Sequence, residues 1–330
     1  MVVVLVVLSS LVGVALFAFI SSVFISRWSN PEKTLYWCFL NAALTPLRML
    51  RLGPYKEGTT VTIESAMKYA MKKTKLTDFG DTTFVSSYNL MVQTDAHKAL
   101  RLTNLGYVMY RSELNLSMCR RALLIDYLKS CPEVLRIPVT SPVFVLGLPR
   151  TGTTLLHRLL SLDTAAVRAP LLWELLSPVP TVKIGYSNGS TEQQQQLFRD
   201  DLHKRAEFVR KLVRDRKSAG DNALEHIHEI GADLPEECLV SLADEIPTHL
   251  SFLNSDYLNH EKFFQCIDSS RVINAYRYYG SVLRLLSYQE GGGGSTSAMD
   301  SPRRWMLKCP IHLFYIKEIA AVFPDAKLIW

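Results

Sequence analysis

Gly147, four intervening residues, and then Gly152-Thr153-Thr154 reproduce the spacing of a phosphate loop, G-x-x-x-x-G-K-[ST], with threonine at 153 where that pattern has lysine. The surrounding stretch, Val143 to Leu160, reads VFVLGLPRTGTTLLHRLL. Gly152 permits close approach of the backbone to a ligand. The amides from Thr151 to Thr154 can converge on an anion at a helix amino terminus, where the peptide dipoles add about half a positive charge. Arg150 supplies a fixed cation whose guanidinium can fork onto two oxygens. The lysine that reaches the β- and γ-phosphates in nucleotide triphosphatases is absent, so a phosphate-like group is expected here but ATP or GTP hydrolysis is not. The bland reading is an ordinary strand–turn–helix with Gly152 as a turn residue. The apolar run before it, the paired threonines and the adjacent Arg150 argue against that.

Other residues could do chemistry. His157 falls one turn into the helix after the loop and reads as packing. Glu225-His226-Ile227-His228-Glu229 could form a base or metal cluster, but it is not HExxH, and residues two apart face different sides of a helix; His228 is its better candidate. Lys308 stands two residues before Pro310 at the end of an expected strand, where open α/β sheets bind ligands. The six cysteines, Cys38, Cys119, Cys131, Cys238, Cys266 and Cys309, include no CxxC pair, so no structural zinc site is expected. They read as isolated buried thiols, with one or two disulfides as the alternative.

The elements that must position the loop are legible in outline. Val143–Leu146 is a continuous apolar run, as in a parallel strand buried on both faces. The loop follows at 147–154, and a helix starts over Leu155–Leu162. Residues 57–137 read as helical, with segments opening at Thr62 and covering Leu90–Arg101 and Leu114–Lys129. A long charged helix is expected over 192–217, a helix start at Pro235-Glu236-Glu237, and a helix over 271–288. Gly291–Ser297 reads as a surface loop. A strand at Arg304–Leu307, a helix at Ile311–Phe323 and a strand at Lys327–Trp330 close the chain. The fold class implied is α/β: a three-layer, P-loop-like parallel sheet flanked by helices, with a helical amino-terminal region. The organisation expected is an anchor at 1–26, a helical membrane-proximal region at 27–137 and an α/β domain at 138–330.

Composition narrows the classes. With 37 Lys+Arg against 31 Asp+Glu, a net charge of +6 and 48% hydrophobic residues, the chain is neither disordered nor collagen-like. The small, dispersed positive excess does not call for nucleic acid and suits an anionic ligand. Residues 1–26 carry no charge; as helix they would rise about 39 Å, enough to cross a hydrocarbon core of about 30 Å. Arg27, Trp28, Lys33, Tyr36 and Trp37 then form an interfacial belt, so a single-pass transmembrane signal-anchor is expected in preference to a cleaved signal peptide. Leu35–Leu52 reads as an interfacial or packed helix pair. Charge placement favours a cytoplasmic main domain. Asn115-Leu116-Ser117 and Asn188-Gly189-Ser190 are glycosylation sequons that permit a lumenal one.

PRTGTTLLHRLLSLD, from Pro149, is very similar to the 5′-phosphosulfate-binding loop of sulfotransferases, in particular the broad carbohydrate and tyrosylprotein group. Arg168 to Glu174, Gly231 to Cys238 and Trp305 to Lys327 also resemble stretches of that family, so the likeness covers about residues 140–330. It implies transfer of a sulfuryl group from 3′-phosphoadenosine 5′-phosphosulfate to a hydroxyl or amine of a small-molecule, glycan or protein acceptor, with no metal. Arg150, Thr151, Gly152, Thr153 and Thr154 would bind the donor. Glu174 would be the catalytic base by its place after the loop helix, with Lys308 and His228 as further catalytic residues. The resemblance also implies the Golgi lumen, against the charge placement. The family's arginine and serine for the donor's 3′-phosphate come after the strand that here ends at Trp330, so a shortened chain with weak donor binding is expected. Two readings stay open beside this one: an inactive membrane-anchored binding protein, and a nucleotide-dependent kinase or hydrolase with a degenerate loop.

Overall fold

The structure, a computed structural model, describes residues 35–56, 62–93, 103–182, 192–218, 229–246, 267–290 and 303–330. The proposed anchor at 1–26 lies outside them; among the described residues no helix is long and apolar enough to cross a membrane. Among the described residues five α-helices come first: α1 (Leu35–Ala43), α2 (Thr45–Met49), α3 (Ile63–Thr74), α4 (Thr83–Gln93) and α5 (Asn104–Ser130). The helix start read at Thr62 is there: its side chain caps α3 by accepting from the Ser65 amide at 3.2 Å. Thr103 does the same for α5, accepting from Gly106 at 3.1 Å. Asn104 then ties the opening of α5 to α1 and α2, donating to the Asn41 carbonyl and Thr45 Oγ1 and accepting from Arg48.

The α/β part follows as β1 (Val143–Val145), α6 (Thr153–Leu160), β2 (Val167–Arg168), α7 (Leu172–Leu176), α8 (Glu192–Ser218), α9 (Leu239–Leu242), α10 (Ser269–Glu290), β3 (Arg304–Lys308), α11 (Ile316–Val322) and β4 (Lys327–Ile329). The four strands form one parallel sheet in the order β2-β3-β1-β4. β1 is central, which explains its unbroken apolar run: each face is covered. Phe144 turns to the face of α10, with ring contacts to Tyr276, His312 and Phe323. Val143 and Val145 turn to the other face, with Met306 and Leu160. Helices thus lie on both sides of the sheet, and the expected parallel α/β class holds.

Details differ from the sequence reading. α5 is longer than the expected Leu114–Lys129 and buries two arginines, so its polar residues do not mark a solvent face. The expected helix at Pro235 is instead an extended bridge to Leu171, with only the short α9 after it. Pro310 opens a 3-10 turn over Pro310–Phe314, and the expected helix starts only at Ile316. β2 was not expected; two residues give too little pattern.

One apolar core runs through both parts, from Tyr55 and Leu124 to Phe144, Tyr279 and Leu307. Charge crosses the same boundary. Arg120 on α5 pairs with Asp244 at 2.7 Å, and that carboxylate also accepts from Ser117 at 2.6 Å and Tyr278 at 3.1 Å. Arg121 pairs with Glu245, donates to the Phe79 carbonyl at 2.7 Å, and lies 4.0 Å over the Phe84 ring. Breaking such a pair strands a buried charge, whereas replacing both partners by apolar residues is tolerated. Asp244→Ala is therefore expected to lose about 3–5 kcal/mol in chemical denaturation. The double variant Arg120→Met/Asp244→Leu should recover most of it; a loss below about 1 kcal/mol in the single variant would contradict the role given to the pair.

Candidate functional site

The loop leaves the sheet at the carboxyl end of β1, where Leu146 still pairs, its amide donating to Ile329 O at 2.8 Å. A tight turn follows. Arg150 (φ +67°) and Gly152 (φ +86°) both take left-handed backbone. Alternation of this kind turns successive amides toward one side, the concavity that binds anions. Thr151 Oγ1 donates to the Leu148 carbonyl at 2.7 Å and closes the turn. Gly152 then serves as the N-cap of α6 with no side-chain cap, so no side chain of the cap residue occupies the first helical amides. Arg150, Thr151 and Gly152 are exposed, and Thr153 and Thr154 half-buried.

Two glycines shape this turn differently. A Cβ at Gly147 would lie 2.6 Å from Thr153 Cγ2 and 3.1 Å from Thr151 Oγ1, whereas at Gly152 it would meet nothing within 4 Å. Gly147 is needed for packing and Gly152 for its backbone angle. Gly147→Ala is expected to displace the threonines and weaken binding of inorganic sulfate, measured by calorimetry, at least about tenfold. Gly152→Ala should cost about 1–2 kcal/mol of stability from left-handed strain.

Lys308 arrives from the neighbouring strand. Its register partner is Val145, so β3 and β1 deliver Lys308 and the loop to the same end of the sheet. The lysine is buried, and its Nζ donates to Thr154 Oγ1 at 2.9 Å and to Glu237 Oε1. Glu237 is set in place by main-chain bonds: Cys238 N donates to Lys308 O at 3.1 Å, and Glu236 N to Pro170 O at 3.0 Å. The sequence reading gave Glu237 only a helix start. Its partner is 71 residues away, and no local signal pairs residues at that distance.

Glu174 is buried and engaged on both oxygens. Oε1 accepts from Arg168, and Oε2 from the Leu171 amide at 2.9 Å, the capping arrangement of α7. Arg168 in turn stacks 4.6 Å over Trp305 and donates to Leu286 O at 3.0 Å. Each oxygen of this carboxylate thus accepts one hydrogen bond from the fold. His228 lies outside the described residues. Its neighbour Glu229 pairs with Arg158 of α6 at 2.6 Å. Among the described residues, no group of three or more His, Cys, Asp or Glu side chains could hold a metal ion.

His157 lies beneath the loop helix, its Nε2 donating to Met306 O at 3.0 Å. Burial holds its pKa down to about 4, with the charge of Lys308 adding to the effect. His312, bonded through Nδ1 to Tyr276 OH at 2.8 Å, is held down to about 3 by burial, Lys308 and His157. Both are neutral in the folded chain near pH 7, while the unfolded chain takes up protons below about 6.5. Stability is therefore full above pH 6.5 and is lost as pH falls toward 4, by about 1.4 kcal/mol per pH unit for each ring. His157→Gln should remove about half of the slope the two rings add to denaturation free energy between pH 6.5 and 4.5.

A central parallel strand, an uncapped loop helix and a lysine from the adjacent strand make an arrangement like that of a P-loop, without the P-loop lysine. The model of the sulfotransferase family matches residues 142–330, more than half of the chain, and the chain belongs to that family. Two solved structures share its fold. One is sulfotransferase STF1 from Mycobacterium tuberculosis H37Rv, at 24% identity and a TM-score of 0.57 over 81% of this chain. The other is sulfotransferase STF9 from Mycobacterium avium, at 27% identity and a TM-score of 0.57 over 82% of it. This chain spans 66% and 62% of their respective lengths. No curated protein sequence matches it.

Proposed function

We propose that the chain transfers a sulfuryl group from 3′-phosphoadenosine 5′-phosphosulfate to a hydroxyl or amine acceptor. The observation that carries this reading is the Lys308 ammonium hydrogen-bonded to Thr154 at the opening of α6. It sets a cation from β3 against the turn that gathers the loop amides. The donor's reactive end is a phosphate–sulfate anhydride, and the residues present fit an anion: left-handed Arg150 and Gly152, the amides up to Thr154, and two cations.

In such a transfer negative charge grows on the leaving phosphate, and fixed donors aimed at it lower the barrier. Arg150, the amides of Thr151 to Thr154 and Lys308 are the groups that would hold the phosphosulfate and steady that charge. Lys308 is desolvated, which strengthens its interaction with an anion relative to a cation in water. Acceptor and location belong to the same proposal: a small-molecule, glycan or protein acceptor, and a protein anchored through residues 1–26. Ser117 of the first sequon is buried and spends its hydroxyl on Asp244, so Asn115 is a poor glycosylation site once folded; Asn188 lies outside the described residues. Retention in the membrane pellet after alkaline carbonate extraction would support the anchor, and release would oppose it.

Calorimetry on the full chain with 3′-phosphoadenosine 5′-phosphate tests the donor. Saturable binding is expected, weakened about tenfold or more in Arg150→Ala and in Thr154→Val, the scale of one charge-assisted hydrogen bond. Binding insensitive to both substitutions would remove the loop as the donor site.

A further inference from the structure

We infer that Glu237 takes the proton of the acceptor, and that Lys308, which it holds, couples that proton transfer to departure of the phosphate. The inference rests on the donor reading above. A carboxylate beside an anion-binding loop works against the loop, because it repels the ligand and competes for its cation. Glu237 nevertheless sits against Lys308, whose Nζ also touches Thr154 of the loop helix. The ammonium thus bridges the loop hydroxyl and the carboxylate.

Exposure separates the two partners. The Lys308 side chain is 4% exposed and that of Glu237 20%. Neutralising a buried lysine does not require the carboxylate to reach the surface. One oxygen, Oε1, faces Lys308, and Oε2 accepts no hydrogen bond from the described residues. Glu174, by contrast, has both oxygens engaged. The main-chain bonds of Glu236 to Pro170 and of Cys238 to Lys308 fix the segment on both sides of Glu237, so its carboxylate is positioned by backbone, as a proton acceptor should be.

The step balances. A lone pair of the acceptor oxygen forms the new O–S bond. The bond from sulfur to the bridging oxygen breaks, and its electron pair stays on the phosphate of 3′-phosphoadenosine 5′-phosphate. The acceptor's proton passes to the Glu237 carboxylate. As that carboxylate becomes neutral, Lys308 loses its counter-charge on one side while charge appears on the other, toward Thr154 and the loop. The pair therefore shifts its stabilisation from the carboxylate to the leaving phosphate during the reaction.

The test compares the wild-type chain with Glu237→Gln, which keeps the shape and an acceptor for Lys308 but not the basicity, and with Glu237→Asp. Two quantities are read: calorimetric binding of 3′-phosphoadenosine 5′-phosphate, and single-turnover transfer of ³⁵S from the labelled donor to the probe alcohol 2-phenylethanol across pH 5.5 to 9. The expected result for Glu237→Gln is product binding unchanged or tighter. Its transfer should be slower by about a hundredfold or more. Glu237→Asp should keep measurable transfer at a reduced rate. Weakened binding in Glu237→Gln would mean that the carboxylate only holds Lys308 in place, and would overturn the inference. Unchanged transfer would overturn it as well. Wild-type protein that binds the product but transfers nothing to the alcohol leaves Glu237 no proton to take and also overturns it. Absence of product binding in every variant would defeat the donor reading itself.

Discussion

The hydrogen bond from Lys308 to Thr154 is where the two halves of the site meet. β1 supplies the loop and α6, and β3 supplies the cation; only the parallel register that places Val145 beside Lys308 brings them to one end of the sheet. A shift of β3 by one residue would turn Lys308 to the opposite face. The core prevents that shift, because Leu307 packs with Phe144 and Met306 with Val143 and Val145, on opposite sides. The geometry around the loop is therefore set by how apolar side chains sort between two layers.

The helical region ahead of the sheet contributes through charge as well as through packing. Arg120 and Arg121 come from one helix and engage neighbouring acids, Asp244 and Glu245, at the end of the segment that also carries Glu237. Each guanidinium is surrounded by hydrogen-bond acceptors or aromatic faces, which is the condition under which a buried ion pair is tolerable. Two adjacent pairs impose a register on that segment that apolar contacts alone would leave looser. The residues before 142, which the family model does not match, thus share in holding the segment that carries Glu237.

How much of this could be read from sequence depends on range. The loop was legible because everything that defines it falls within eighteen consecutive residues: apolar strand, two glycines, arginine, paired threonines, helix. The parallel α/β class followed from the same unit. α5 was only half legible, since Arg120 and Arg121 look like surface residues until their partners 124 positions away are known. Glu174 was chosen by its place after the loop helix, and the bond to Arg168 that occupies it becomes visible only in three dimensions. Glu237 failed for the opposite reason: Pro-Glu-Glu is a good local helix signal, but the chain there is drawn into bridging Pro170 and Lys308. Tertiary hydrogen bonds overrode local preference there.

The short piece of chain at 235–238 is fastened on both sides by peptide groups, Glu236 N to Pro170 O and Cys238 N to Lys308 O. Peptide groups are common to every residue type, so evolution is free to rewrite the neighbouring sequence, and to lengthen or shorten the stretches on either side, without moving the carboxylate between them. A fold built this way can change what surrounds residue 237 while the position of that residue stays constant.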